Sequence, residues 1–252
     1  MRSKEQNIQE KQYKFPYHYI PVISKNSFQQ HLHWSWGMRY LGGLRIVQKE
    51  LESLDYSSLV DIGCGDGRFV NMLSGGSQTR RYLGIDYSER AIGLAKALST
   101  SNAEFISKDI LSEESFDEFD VATMIEVAEH IDPLDLPRFF DAVSKMIKPN
   151  GYLILTVPHK NKILNEKHYQ HFDSDSLSNL LEKKFHVEKF VPFDRNTRRF
   201  RIIEMLIGGT GKYYILTNGR MMRAVYNYYE RTMLRGRKES DCLRICAVAR
   251  RK

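Results

Sequence analysis

The chain has 252 residues, 42% of them hydrophobic and 27% charged, with a formal net charge of +7. That is enough for one substantial core plus an appendage, and the balance is that of a globular protein, which excludes wholesale disorder. No apolar run is long enough to cross a bilayer, and the polar start leads into no signal-like stretch, so a cytoplasmic protein without an integral membrane segment is expected.

Residues 7–25 are polar and aromatic, with Pro16 and Pro21 breaking periodicity, which predicts an arm or cap. Residues 28–54 read as a helix, because Leu41, Leu44, Ile46, Val47, Leu51 and Leu54 recur at roughly helical spacing. Trp34 and Trp36 in that stretch are packing residues or line the entrance to a pocket. Strands and helices then alternate: strands at 58–62, 81–85, 103–107, 119–124 and 151–157, and helices beginning at Arg68, Ser88 and Leu136. Lys148-Pro149-Asn150-Gly151 marks the end of the last of these helices. The strand after it is almost continuously apolar, as a parallel sheet covered on both faces requires.

A helix at 174–184, a strand at 185–192 and a last strand at 242–249, read as an edge strand, complete the pattern. Between the last two strands lies an insertion, 194–241, too long for an empty connection. It holds an apolar run around Ile202 to Ile207, a break at Gly208-Gly209 and a helix over 221–233, and reads as a substrate lid or a homodimer contact. The organisation is therefore an N-terminal arm and helical cap (1–54), an α/β core (55–193), the insertion (194–241), and a final strand with a basic tail (242–252).

From Arg195 to Lys252, 15 Lys or Arg stand against 4 Asp or Glu. A basic final quarter suits a local surface for an acidic substrate, a membrane surface or RNA, or is merely a solvated face. Cys64, Cys242 and Cys246 have no zinc-ligand spacing and read as buried, reduced thiols.

The chemistry begins at Asp61-Ile62-Gly63-Cys64-Gly65-Asp66-Gly67, directly after the first core strand. Glycines at 63, 65 and 67 let the backbone turn tightly and approach a ligand. The dinucleotide fingerprint is broken, since its third glycine would fall at Arg68, and no Gly-Lys-Ser/Thr ending marks a nucleotide-triphosphate loop. Asp61 would repel a pyrophosphate but pairs with a cationic amino group, which favours an adenosyl amino acid. Asp86, with Tyr87 beside it, ends the second strand about 20 residues on and can accept both hydroxyls of a ribose. Asp109 after the third strand can accept from an adenine amino group, with Ile110 beside the base.

In this order and spacing the motifs resemble the class I S-adenosylmethionine-dependent methyltransferases, over residues 54–250. The resemblance implies a Rossmann-like, doubly wound α/β fold with a mostly parallel seven-stranded sheet and an antiparallel last strand. S-adenosylmethionine is the implied cofactor. Asp120 and the Lys148–Gly151 turn look like later landmarks of the family, with Asn150 where glycine is common.

Methyl transfer asks the protein to align an acceptor for in-line attack and, where needed, to remove its proton. Loops after the fourth and fifth strands should do this. Within Glu126-Val127-Ala128-Glu129-His130, His130 is the candidate base, and Glu126 shares its face if the stretch is helical. His171 is the preferred candidate beyond the fifth strand, with His159 and His168 read as solvent-facing. Glu126, Glu129, His130 and His171 could also bind a divalent cation, an arrangement that resembles the small-RNA 3'-terminal 2'-O-methyltransferases. The Arg-His and Phe-Glu-Trp surroundings of that family's second histidine are missing, so no metal is assigned. Tyr213, Tyr214, Tyr226, Tyr228 and Tyr229 could stack on bases or sugars, and Arg195, Arg198, Arg199 and Arg201 could neutralise phosphates. The leading reading is an enzyme that methylates oxygen on a small molecule, sugar or lipid-linked saccharide. A metal-dependent RNA 2'-O-methyltransferase and a nonenzymatic cofactor-binding module are the alternatives.

Overall fold

In the computed structural model, which describes residues 4–6, 8, 21–24, 27–30, 34–75, 79–99, 102–112, 116–206 and 218–252, strands and helices alternate from residue 58 onward. An antiparallel hairpin, β1 (Pro21–Ser24) and β2 (Ser27–Gln30), precedes helix α1 (Trp34–Leu51). The core then runs β3 (Ser58–Ile62), α2 (Arg68–Ser74), β4 (Arg81–Asp86), α3 (Glu89–Leu98), β5 (Glu104–Ser107) and β6 (Phe119–Ile125). It continues through α4 (Leu136–Lys145), β7 (Ile147–Pro158), α5 (Ser174–Leu181) and β8 (Phe185–Arg195). Helices α6 (Arg198–Leu206) and α7 (Gly219–Tyr228), the latter extended by a π turn, precede β9 (Cys242–Arg251).

Local chemistry sets the boundaries. Ser88 caps α3 by accepting from the Ala91 amide at 3.2 Å, and Asp173 with Ser176 forms a reciprocal box at the start of α5. The core strands are buried runs; Leu59, Val60, Ala122, Met124, Leu153, Ile154 and Leu155 are all inaccessible, as strands covered on both faces must be.

The seven-stranded sheet has the order β5-β4-β3-β6-β7-β9-β8. All neighbours from β5 to β7 are parallel, while β9 runs antiparallel to both β7 and β8. The chain leaves β3 toward β4 on one side and returns to β6 on the other, so a crevice opens beyond the carboxyl ends of β3 and β6. At the opposite end, the Asp120 carboxylate accepts from the amides and hydroxyls of Ser57 and Ser58 and pairs with Lys148. That residue is a structural tie between β3 and β6, remote from the crevice.

Three expectations need correction. Residues 27–30 form a strand, and helix begins only at Trp34, because the apolar rhythm of the predicted 28–54 helix has no member before Met38. The final strand is antiparallel but is not an edge: β9 is buried along most of its length between β7 and β8, whereas β8 exposes Glu188 and Lys189 and is the true edge. Lys148–Gly151 lies inside β7, with Asn150 at φ 63°, a left-handed conformation that asparagine tolerates. The side chains of Trp34 and Trp36, most of the 7–25 arm, and Gly208, Gly209, Tyr213 and Tyr214 lie outside the described residues.

A buried ionic node fixes the insertion to the core. Asp194, itself at φ 61°, pairs with Arg39 of α1 and Arg244 of β9, and Arg39 also reaches Glu204 of α6. Helix α1 comes this close because Gly42 and Gly43 face the node; a Cβ there would meet the Tyr229 hydroxyl at 2.8 Å and Arg244 Nη1 at 2.7 Å. Asp194→Ala removes the carboxylate that Arg244 pairs with in a low-dielectric site and leaves Arg39 to Glu204 alone, and we expect a stability loss of about 3–5 kcal/mol. Urea denaturation monitored by circular dichroism checks this; an unchanged midpoint would show the node to be dispensable.

Candidate functional site

The turn after β3 builds the floor of a cleft at the switch point. Gly63, Gly65 and Gly67 all have positive φ. At Gly63 the demand is double: φ is 71°, and a Cβ would lie 2.5 Å from Val127 Cγ2 of the loop after β6. The turn thus presents bare backbone to the cleft where the two loops converge. Gly63 N and Cys64 N donate to the Ile85 carbonyl, anchoring the turn to β4. The Asp86 carboxylate accepts from Gly65 N at 3.0 Å and Ser88 N at 2.9 Å, is almost wholly buried, and lines the cleft.

Asp61 lies beneath the turn and accepts from the Thr123 hydroxyl at 2.7 Å. Burial raises its carboxyl to about 7, with the Thr123 hydrogen bond opposing the rise and the nearby Asp86 adding to it. A desolvated carboxylate of this kind gains most from a cationic partner, as the sequence reading requires. Tyr87, Asp109 and Ile110 line the same cleft, with Ile110 buried. One oxygen of Asp109 accepts from Leu111 N at 3.0 Å, which shapes the loop that presents it.

Across the cleft, the loop after β6 carries Glu126, Val127, His130 and Ile131. Glu126 has φ 57°, and only residues 128–130 turn, as a short 3-10 helix, so Glu126 and His130 do not share a helical face. Both nevertheless reach the cleft. His130 Nδ1 lies 2.8 Å from the Lys167 carbonyl, so it carries the proton and leaves the Nε2 lone pair free. Burial lowers His130 to about 4, keeping it neutral near pH 7.

His168 corrects the expectation of a solvent-facing loop residue. It is buried edge-on to His130, with ring centroids 4.8 Å apart. His171 stands behind it: its Nδ1 meets the Lys162 carbonyl at 3.0 Å, so its Nε2 accepts from His168 Nδ1 at 2.8 Å. That chain leaves His168 with a free Nε2, and burial holds its pKa at about 2. Glu129 is inaccessible, and neither of its carboxylate oxygens has a hydrogen-bond partner among the described residues. Burial, reinforced by Glu126, pushes its carboxyl well above the usual range. Glu129, His130 and His168 offer ligand atoms all within 4.8 Å of one another, so His168 occupies the place expected of His171.

His159 is buried as well, not solvent-facing, and meets Glu239 at 2.9 Å; Asn161 Nδ2 donates to the carbonyls of Glu239, Ser240 and Cys242. The end of the insertion is thereby tied to the loop after β7. Tyr229 is fully buried against Phe200, and Tyr226 bonds Arg45, so these rings pack inward rather than present a stacking surface. Arg198, Arg199 and Arg201 are exposed, while Arg195 donates to the Thr232 carbonyl. Thr123 and His168 escaped the sequence reading. The His-x-x-His spacing at 168–171 was its only local signal for the second.

A family model described as a methyltransferase domain matches residues 38–184, more than half of the chain. A ubiquinone biosynthesis O-methyltransferase of Hydrogenovibrio crunogenus is 27% identical over 154 residues, covering 57% of this chain and 59% of that protein. The protein of the same name in Leptothrix cholodnii is 30% identical over 125 residues, 47% of this chain and 51% of its own length. The chain thus spans between half and three-fifths of these curated relatives. Among solved structures, the N-methyltransferase NodS from Bradyrhizobium japonicum WM9 matches with a TM-score of 0.56 at 17% identity, covering 85% of this chain and 97% of that one. The methyltransferase domain of bacterial CtHen1 matches with a TM-score of 0.57 at 17% identity, covering 84% and 99%. At these identities the structural likeness shows the fold.

Proposed function

The chain belongs to the methyltransferase-domain family and has its S-adenosylmethionine-dependent core, and we propose that it methylates an oxygen of a small molecule, a sugar or a lipid-linked saccharide. The observation that carries this reading is His130, a neutral imidazole whose unprotonated Nε2 belongs to a residue lining the cofactor cleft. The cofactor supplies an activated methyl group on a sulfonium. Asp86 would accept from its ribose, Asp61 would pair with its amino group, and Asp109 with Ile110 would meet its base. The bare backbone at Gly63 lets the cofactor lie close. In that reaction His130 Nε2 would take the proton that the acceptor hydroxyl loses as its oxygen is methylated. The O-methyltransferase names of the curated relatives support oxygen as the acceptor atom.

The two unpartnered Glu129 oxygens favour a second reading. A divalent cation at Glu129, His130 and His168 would satisfy them and hold two adjacent hydroxyls, as at an RNA 3' end. One experiment separates the readings: transfer of labelled methyl into fractionated cell extract, with and without a chelator. We expect label in an RNase-resistant small-molecule or organic-soluble fraction, insensitive to chelation. Label in RNase-sensitive polymer, lost on chelation, establishes the second reading instead. Cofactor binding with no label in any fraction leaves a nonenzymatic binding module.

A further inference from the structure

The exposed large apolar side chains are segregated. Among the described residues there are nine: Leu98, Leu134, Ile163, Leu164, Ile202, Met205, Leu206, Met221 and Met222. Leu98 ends α3, at the far side of the sheet from the cleft. The other eight lie on segments beyond the cleft-side edge: the turn after His130, the loop after β7, and helices α6 and α7. The insertion shares that edge because β8 runs antiparallel to β9, which starts beside Pro158 at the end of β7.

The exposure is not marginal, at 89% for Leu134, 91% for Ile163 and 72% for Leu206. Ile202, Met205 and Leu206 follow helical i, i+3, i+4 spacing on α6, while Phe200 of the same helix is fully buried in the core. The same helices expose Arg198, Arg199, Arg201, Arg220 and Arg223. Their acidic residues are engaged inward, Glu204 with Arg39 and, in the π turn after α7, Glu230 with Arg45. Outward-facing arginines interleaved with Ile, Met and Leu are the chemistry of a protein that rests on lipid: guanidinium groups meet phosphates while aliphatic side chains enter the acyl boundary. Single-stranded nucleic acid would ask for exposed aromatic platforms; among the described residues of α6, α7 and the π turn, Phe200, Tyr228 and Tyr229 pack against the core.

We infer that the cleft-side end of the molecule docks on a bilayer carrying anionic headgroups, through the arginines of α6 and α7 and the apolar side chains of α6 and the adjoining loops. Docking there sets the mouth of the cleft against the membrane surface. The inference goes beyond the proposed activity and does not depend on it.

Co-sedimentation of the full chain with vesicles tests it, using phosphatidylcholine alone and phosphatidylcholine with 30 mol% phosphatidylglycerol, about the anionic content at which polybasic surfaces bind. Binding should require the anionic lipid. The M205S/L206S and R198S/R199S variants should each weaken it at least about tenfold, and L98S at the opposite end should leave it unchanged. Unaltered S-adenosylmethionine affinity, read by calorimetry, shows that each variant is folded. Three results overturn the inference: no sedimentation with anionic vesicles, equal binding by M205S/L206S and the parent chain, or binding of an oligouridylate with none to vesicles. Because vesicle binding is read without acceptor or turnover, its failure leaves the proposed methyl transfer standing.

Discussion

Replacement of His130 by alanine is expected to reduce turnover by about 10²–10⁴-fold, the range a positioned general base supplies, while S-adenosylmethionine affinity changes by no more than about twofold. The imidazole lines the same cleft as Asp86, Asp109 and Ile110 but stands on the loop after β6, apart from the turns that carry them. Labelled-methyl kinetics with an acceptor fraction, alongside calorimetry of cofactor binding, reads both quantities. Equal turnover in variant and parent would remove His130 from the chemistry. The pH profile offers a second reading of the same residue. Burial lowers its pKa to about 4, so the base is already unprotonated at neutrality, and activity should fall only as pH drops toward 4 rather than through 6.5. The stability linkage has the same sign. An unfolded chain protonates this histidine near 6.5 while the folded one resists until about 4, so the fold loses stability as pH falls through that window.

Asp86→Ala should have the other large effect, on the cofactor side. Its carboxylate holds the amides of Gly65 and Ser88 and faces the cleft where a ribose would lie. A hydrogen bond to a charged group contributes about 1.5–3 kcal/mol, so losing two to ribose hydroxyls weakens binding by roughly 10²–10⁴-fold. Asp86→Asn separates the roles: it keeps the shape near the turn but loses the charge, and should fall between parent and alanine. Calorimetric titration with S-adenosylmethionine measures all three chains. Binding by the alanine variant within about threefold of the parent would deny Asp86 its ribose role.

The side of the cleft formed by the turns after β3, β4 and β5 was legible in sequence because its signals are local and ordered. The glycine turn, Asp86, Asp109 and Ile110 follow successive strands, and the sheet topology gathers strand ends into one crevice. The acceptor side depends on contacts between loops that no spacing announces. His168 reads as a loop residue until the Lys162 and Lys167 carbonyls are seen to fix the protons of His171 and His130. Glu129 likewise looked like one carboxylate among several, and only its complete burial without a hydrogen-bond partner sets it apart. The hairpin at β1 and β2 was missed for a different reason. Four-residue strands flanked by polar residues carry too few apolar positions to establish a period of two.

The place of β9 has a consequence for the order in which the molecule can be assembled during synthesis. Among the described residues this strand comes after every other strand, yet it lies between β7 and β8 and is the strand that β8 pairs with along its length. As the chain emerges from a ribosome, β3 to β7 can pair as soon as each is made, but β8, apart from a short bridge of Phe193 to Arg235 near its end, has no strand to pair with until residues 242–251 follow. For that interval β7 offers an open edge, an invitation to pairing with other nascent chains. Closure of the sheet also brings Arg244 to Asp194, so the insertion is locked to the core in the same late step that seals the edge.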